Sequence, residues 1–122
     1  KGLDIEKVFH NLSLIKNMVG IHATFIVGGP GEDWDTIKKT KQFIEKLKLR
    51  NAGIGILTLF PGTTFYKAAL EDGLIDDEEE YCMTLGPVYD RPYTNVSDLS
   101  DSDLLKARDI LEETAREFGP YT

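Results

Sequence analysis

Cysteine occurs once in the chain, at Cys82. That excludes an intramolecular disulfide and any thiolate cluster assembled from these residues alone. A reducing, cytoplasmic setting is the expectation that follows. Basic residues are also short: Lys and Arg number 14 against 21 Asp and Glu, a formal charge of -7. A nucleic-acid surface needs a basic patch to replace counterions, and none is present. The lysines from Lys38 to Lys48 are interleaved with apolar residues along one predicted helix. No apolar run reaches the ~18 residues of a membrane span, and no signal-peptide pattern opens the chain. The two histidines, His10 and His22, have no neighbour at metal-ligand spacing and are read as structural.

What is present suits one α/β domain of 122 residues. Asp4 is a predicted N-cap. Ile5, Val8, Phe9, Leu12, Ile15 and Val19 then recur on one helical face, which Gly20 ends. Ile21 to Val27 is short, apolar and rich in β-branching, the pattern of a strand buried on both faces. Asp33 is placed to cap a second helix with a stripe of Ile37, Thr40, Ile44 and Leu47. A turn over Asn51 to Gly53, a strand over Ile54 to Thr58 and a short helix running to Gly73 follow. Two strands with a helix between them are the βαβ unit of a parallel sheet.

Beyond Leu74 the period is lost. Residues 76–99 read as an acidic and irregular connector. Its five consecutive acids, Asp76 to Glu80, are either a solvated link or the exposed start of a short helix. Its tyrosines, Tyr81, Tyr89 and Tyr93, either pack that segment or reach a substrate cavity, and Cys82 is expected as a half-buried small hydrophobe. Ser100 with Asp103 opens a terminal helix over 100–119, with Leu104, Ala107, Leu111, Ala115 and Phe118 on one face. Two parallel strands make a very small sheet, so the pattern is that of an arc cut from a larger parallel barrel or open sheet. The start at Lys1, almost directly into a helix, fits a piece of a longer protein.

Two loops stand out, GGPGE at 28–32 and LFPGT at 59–63. Both follow predicted parallel strands, where ligands of α/β folds bind. A phosphate-binding loop needs a Lys and a Ser/Thr after its last glycine. Here Gly31 is followed by Glu32, Asp33, Trp34 and Asp35, and Pro30 removes a backbone donor. The glycines either serve a tight turn alone or let a flat or cationic ligand lie against bare backbone. Trp34 is expected as a packing anchor.

FIVGGPGEDWDTIKKTKQFI followed by ILTLFPGTTFYKAALEDGLI resembles the later half of a radical S-adenosylmethionine (SAM) barrel. The likeness is to the cobalamin-associated branch that includes anaerobic magnesium-protoporphyrin ester cyclases. KGLDIEKVFHNLSLIKNMVGI and YTNVSDLSDSDLLKARDILEE extend it over nearly the whole chain. The resemblance implies part of a (β/α)6 TIM-like barrel, here two βα units over residues 1–75 plus the terminal helix. In the family, a 4Fe–4S cluster on a C-x3-C-x2-C loop binds SAM, and a 5′-deoxyadenosyl radical takes a hydrogen atom from substrate. By that mapping Ile26, Val27, Gly28, Gly29 and Pro30 at one strand end, and Leu57, Thr58 and Leu59 at the other, help hold the adenosyl part of SAM. The cysteine triad is absent, so this chain is expected to hold no cluster and to be inactive alone. Its expected partners are the missing N-terminal half of the barrel and a small-molecule substrate, with cobalamin admitted in the parent. Self-association is the expectation for the isolated chain, because its sheet edges are open. Two other readings stay open: a non-catalytic α/β binding or interaction module, and an α/β enzyme using the acids near Glu32 as bases.

Overall fold

The structure, a computed structural model, describes residues 3–49, 52–86 and 90–118. Among these the architecture is mixed α/β: α1 (Ile5–Ile15), β1 (Ala23–Val27), α2 (Trp34–Leu47), β2 (Ala52–Ile56), α3 (Thr64–Glu71), α4 (Glu78–Thr84) and α5 (Asp101–Arg116). β1 and β2 pair in parallel, with Phe25 opposite Ile54 and Val27 opposite Ile56. The parallel pair of strands is as expected; two strands alone do not show the arc of a TIM-like barrel that the resemblance implies.

Local chemistry explains the helix starts. The Asp4 carboxylate accepts from the Glu6 and Lys7 amides, and Asp33 and Thr36 close a reciprocal capping box on α2. Thr63, Asp77 and Ser100 cap α3, α4 and α5 in the same way. The acidic run is therefore the exposed start of a helix. Asp77 is its cap, and Glu78, Glu79 and Glu80 lie at the positive end of its dipole.

The core lies on one side of the sheet. Val27, Ile54 and Ile56 meet Ile37, Ile44 and Leu47 of α2 and Leu104, Ala107, Leu111 and Ala115 of α5. Phe9 of α1 and Phe25 of β1 each meet the Phe43 ring edge-on, at 5.6 and 5.9 Å between centroids, which ties α1 and β1 to α2. A second cluster joins Leu59, Tyr66, Ala69, Ile75 and Tyr81 beneath the loop that follows β2.

Four expectations about these elements are corrected. β1 is covered on one face only, because successive side chains alternate and no described helix packs on the Thr24 and Ile26 side. Ile26 is 56% exposed, while Val27, Ile54 and Ile56 are buried by α2 and α5. The second strand begins at Ala52 and ends at Ile56, so Gly53 is paired in the ladder and Leu57 and Thr58 lie just past its end. α1 stops at Ile15, five residues before Gly20, and Ile5, Ile15 and Val19 of its expected stripe are exposed. Its last turn has no packed neighbour to hold it, and the Met18 amide tightens onto the Ile15 carbonyl instead. Thr40 of the second stripe is half-buried, its hydroxyl turned back to the Thr36 carbonyl. Asn51, Tyr89 and Gly119, named in the sequence-based expectations, lie outside the described residues.

Candidate functional site

Both Gly–Pro loops leave the same end of the sheet, because β1 and β2 run parallel. The Leu57 amide donates to the Val27 carbonyl at 2.8 Å, so pairing continues one step past the strands and brings the two loop starts together. Thus Ile26, Val27 and Gly28 lie alongside Leu57, Thr58 and Leu59. Not all present a surface. Val27, Gly28, Thr58 and Leu59 are buried, Gly29 and Leu57 are half-buried, and Ile26 and Pro30 are exposed. The register partner of Ile26 is Gly55, and that of Thr24 is Gly53. The open face of the sheet consequently carries few side-chain atoms.

Gly28 and Gly29 answer to different causes. Gly28 has φ +95, and a Cβ there would lie 3.0 Å from Leu104 Cδ2 and 3.7 Å from Ile56 Cγ2. It is glycine because the turn is left-handed and α5 packs against it. A methyl at Gly28 therefore intrudes on Leu104 of α5. Gly29 has no positive φ, and a Cβ there would meet nothing within 4 Å. Neither backbone conformation nor packing within the described chain requires glycine at that position. Space lies open beside bare backbone.

The acids of the first loop are spent on the loop itself. One oxygen of the Glu32 carboxylate accepts from the Gly28 amide at 3.3 Å, and the other accepts from the Thr36 hydroxyl. The Glu32 amide donates to the Gly29 carbonyl at 3.0 Å, closing the turn. The position an anion would take is thus filled by the chain's own carboxylate, which speaks against phosphate. Asp33 is engaged as the α2 cap. These two carboxylates are anchors for the loop, and the reading of them as free bases has no geometric support.

The second loop is held from α4. The buried Tyr81 hydroxyl donates to the Leu59 carbonyl at 2.7 Å. Next to it, the Tyr66 hydroxyl donates to Glu78 Oε1 at 2.9 Å, and the two rings lie 5.8 Å apart. Burial and the acceptor Glu78 push the Tyr66 phenol up to about 12, and burial raises that of Tyr81. Of the other tyrosines, the half-buried Tyr93 accepts from the Gly86 amide at 2.9 Å and lies under the Arg91 guanidinium at 4.8 Å. Periodicity had no means of finding the roles of Tyr81 and Glu32. The one available signal was spacing, since Glu32 follows Gly28 by four residues and Thr36 follows Glu32 by four.

Two further residues are placed otherwise than expected. Cys82 is exposed, because α4 buries Tyr81 and turns its neighbour outward. Trp34 is 42% exposed at the first turn of α2, beyond the reach of the core stripe. His10 and His22 are both exposed. Among the described residues, no three His, Cys, Asp or Glu side chains gather as a metal site. No described helix is long and apolar enough to cross a membrane.

No family model matches the chain. A stretch of 64 residues, 52% of this chain, is 38% identical to the ribosomal protein uS12 methylthiotransferase RimO of Clostridium kluyveri. The match covers 14% of that protein's length.

Proposed function

We propose that the chain is the later part of a radical SAM catalytic barrel, and that its two loops hold the adenosyl part of SAM in the parent enzyme. One observation carries the reading: two glycine–proline loops sit at one end of a parallel pair whose first strand is covered on one face only, beside a glycine that no local contact requires. The partial match to a methylthiotransferase supports it.

The residues fit one part of the cofactor system and not the other. Ile26, Gly29, Pro30 and Leu57 offer apolar surface and bare backbone, suited to a flat adenosine laid against the strand ends. Val27, Gly28, Thr58 and Leu59 act from beneath, fixing the backbone that makes that contact. A cluster does not fit here, because Cys82 is a single exposed thiol on the far side of α4's buried face. Its ligands belong to chain outside these residues. When bound together there, the cluster and SAM supply the radical chemistry of the superfamily. The residues of this chain bind, orient and shape.

The small-molecule substrate, an oxidoreductase, cyclase or methyltransferase type of reaction, and a cobalamin are all matters for the rest of the parent. A cytoplasmic setting belongs to the same proposal. The open edges of the two-stranded sheet take the preceding half of the barrel, or a second copy when this chain is alone. A non-catalytic interaction module is the competing reading. It is favoured by the apolar surface left open by α1 and the turn after it, with Leu14 62% and Met18 78% exposed.

Gly29→Leu in the full-length parent separates the two. The added side chain meets open space, so stability should change by no more than about 0.5 kcal/mol. SAM affinity should fall about tenfold or more, equivalent to at least about 1.4 kcal/mol. Equilibrium dialysis with SAM, beside thermal unfolding, measures both. Unchanged affinity in a folded variant would favour the interaction module.

A further inference from the structure

We infer that the connector between α3 and α5 positions both loops of the mouth, with Tyr81 and Asn95 as its positioning residues. The inference rests on the reading of that mouth as the adenosyl site. It gives α4 and the turn over residues 95–99 a role that their irregular sequence does not disclose.

Among the described residues, the connector grips each loop through a hydrogen bond, each at a different point. At its start, Tyr81 on α4 donates to the carbonyl of Leu59, a bond between residues 22 apart in sequence. Leu59 is 2% exposed, so that carbonyl has no route to bulk water and relies on a protein donor. α4 is itself fixed to α3 through the Tyr66–Glu78 bond, so Tyr81 approaches from a braced helix. At the connector's other end, the Asp98 amide donates to the Glu32 carbonyl at 2.9 Å. Glu32 is the residue whose side chain closes the first loop onto Gly28.

Asp98 is held in place by Asn95. The Asn95 side-chain oxygen accepts from the Ser97 amide at 2.9 Å and the Ser97 hydroxyl at 2.6 Å. Its nitrogen donates to the Leu99 carbonyl at 2.7 Å and to Asp101 Oδ1 at 3.0 Å. One amide side chain thereby locks the turn that carries Asp98 and ties it to the first turn of α5. A link that merely led from α3 to α5 would have no need of either grip. With both, each loop is held from outside the sheet as well as by its strand.

The test uses the full-length parent with Tyr81→Phe and Asn95→Ala. Tyr81→Phe keeps the ring and its packing and removes the donor. SAM binding should weaken about fivefold to tenfold, the scale of one buried hydrogen bond. Amide exchange at residues 57–63 should quicken, with α2 and α5 unaffected. Asn95→Ala should quicken exchange at residues 28–32 and weaken SAM binding to a similar degree. It also carries the test if Tyr81→Phe fails to fold. Both variants folded, with unchanged SAM affinity while Gly29→Leu weakens binding, would overturn the connector's role and leave the mouth standing. If Gly29→Leu is also silent, the adenosyl site itself fails. The exchange rates then decide the connector alone: faster loops support it, and unchanged loops overturn it.

Discussion

Leu111→Ala should lower the stability of the folded chain by about 3 kcal/mol, within the 2–5 kcal/mol typical of truncating a buried leucine. Leu111 is fully buried at the middle of α5, in one cluster with Ile44 and Leu47 of α2 and Ile54 and Ile56 of β2. It is the point where the terminal helix meets both other layers. Removing three heavy atoms there forfeits transfer energy and leaves a void that two helices and a strand must share. The neighbouring Ile110, 38% exposed, supplies the control. Ile110→Ala should cost about 1 kcal/mol, well below Leu111→Ala, because more than a third of Ile110 is already in water. Urea unfolding measures both as a shift in midpoint at constant slope. Equal losses for the two variants would mean that α5 does not dock as described.

Gly28→Ala should cost about 2–3 kcal/mol, from two sources that can be separated. The first is backbone: φ +95 is a conformation that an alanine adopts only with strain of about 1–2 kcal/mol. The second is the 3.0 Å approach of the new methyl to Leu104 Cδ2. Leu104→Ala removes that neighbour, at its own cavity cost. The double variant should therefore be more stable than the sum of the single losses by about 0.5–1 kcal/mol, the coupling expected of residues in contact. Strict additivity would show that the backbone alone accounts for Gly28. The same pair clarifies the site. A SAM-binding defect in Gly28→Ala would follow from a displaced loop, whereas one in Gly29→Leu would come from direct obstruction.

The helices and their caps were legible because they rest on local chemistry. Asp4, Asp33 and Ser100 cap within three residues, and the stripes of α2 and α5 repeat at helical spacing. What depended on distant partners was not. Thr24 and Ile26 look the same in sequence whether a helix covers them or not, so the open face of β1 was invisible. The second strand was placed two residues late because Ala52 and Gly53 have low strand propensity while Leu57 and Thr58 have high. Only the pairing of Ala23 with Ala52 and Thr24 with Gly53 decides that register. In the site, the two loops were legible from their glycines and prolines, and their adjacency from the parallel order of the strands. The Tyr81–Leu59 and Asp98–Glu32 bonds join residues far apart in sequence, and no period or motif announces them.

The central claim is that the ends of β1 and β2 receive SAM. Hydrogen–deuterium exchange of the full-length parent, with and without saturating SAM, tests it without any substitution. Bound SAM should slow exchange at residues 27–31 and 57–60, with little change along the exposed face of α1. Saturated binding that leaves both loops exchanging at their free rates would contradict the account.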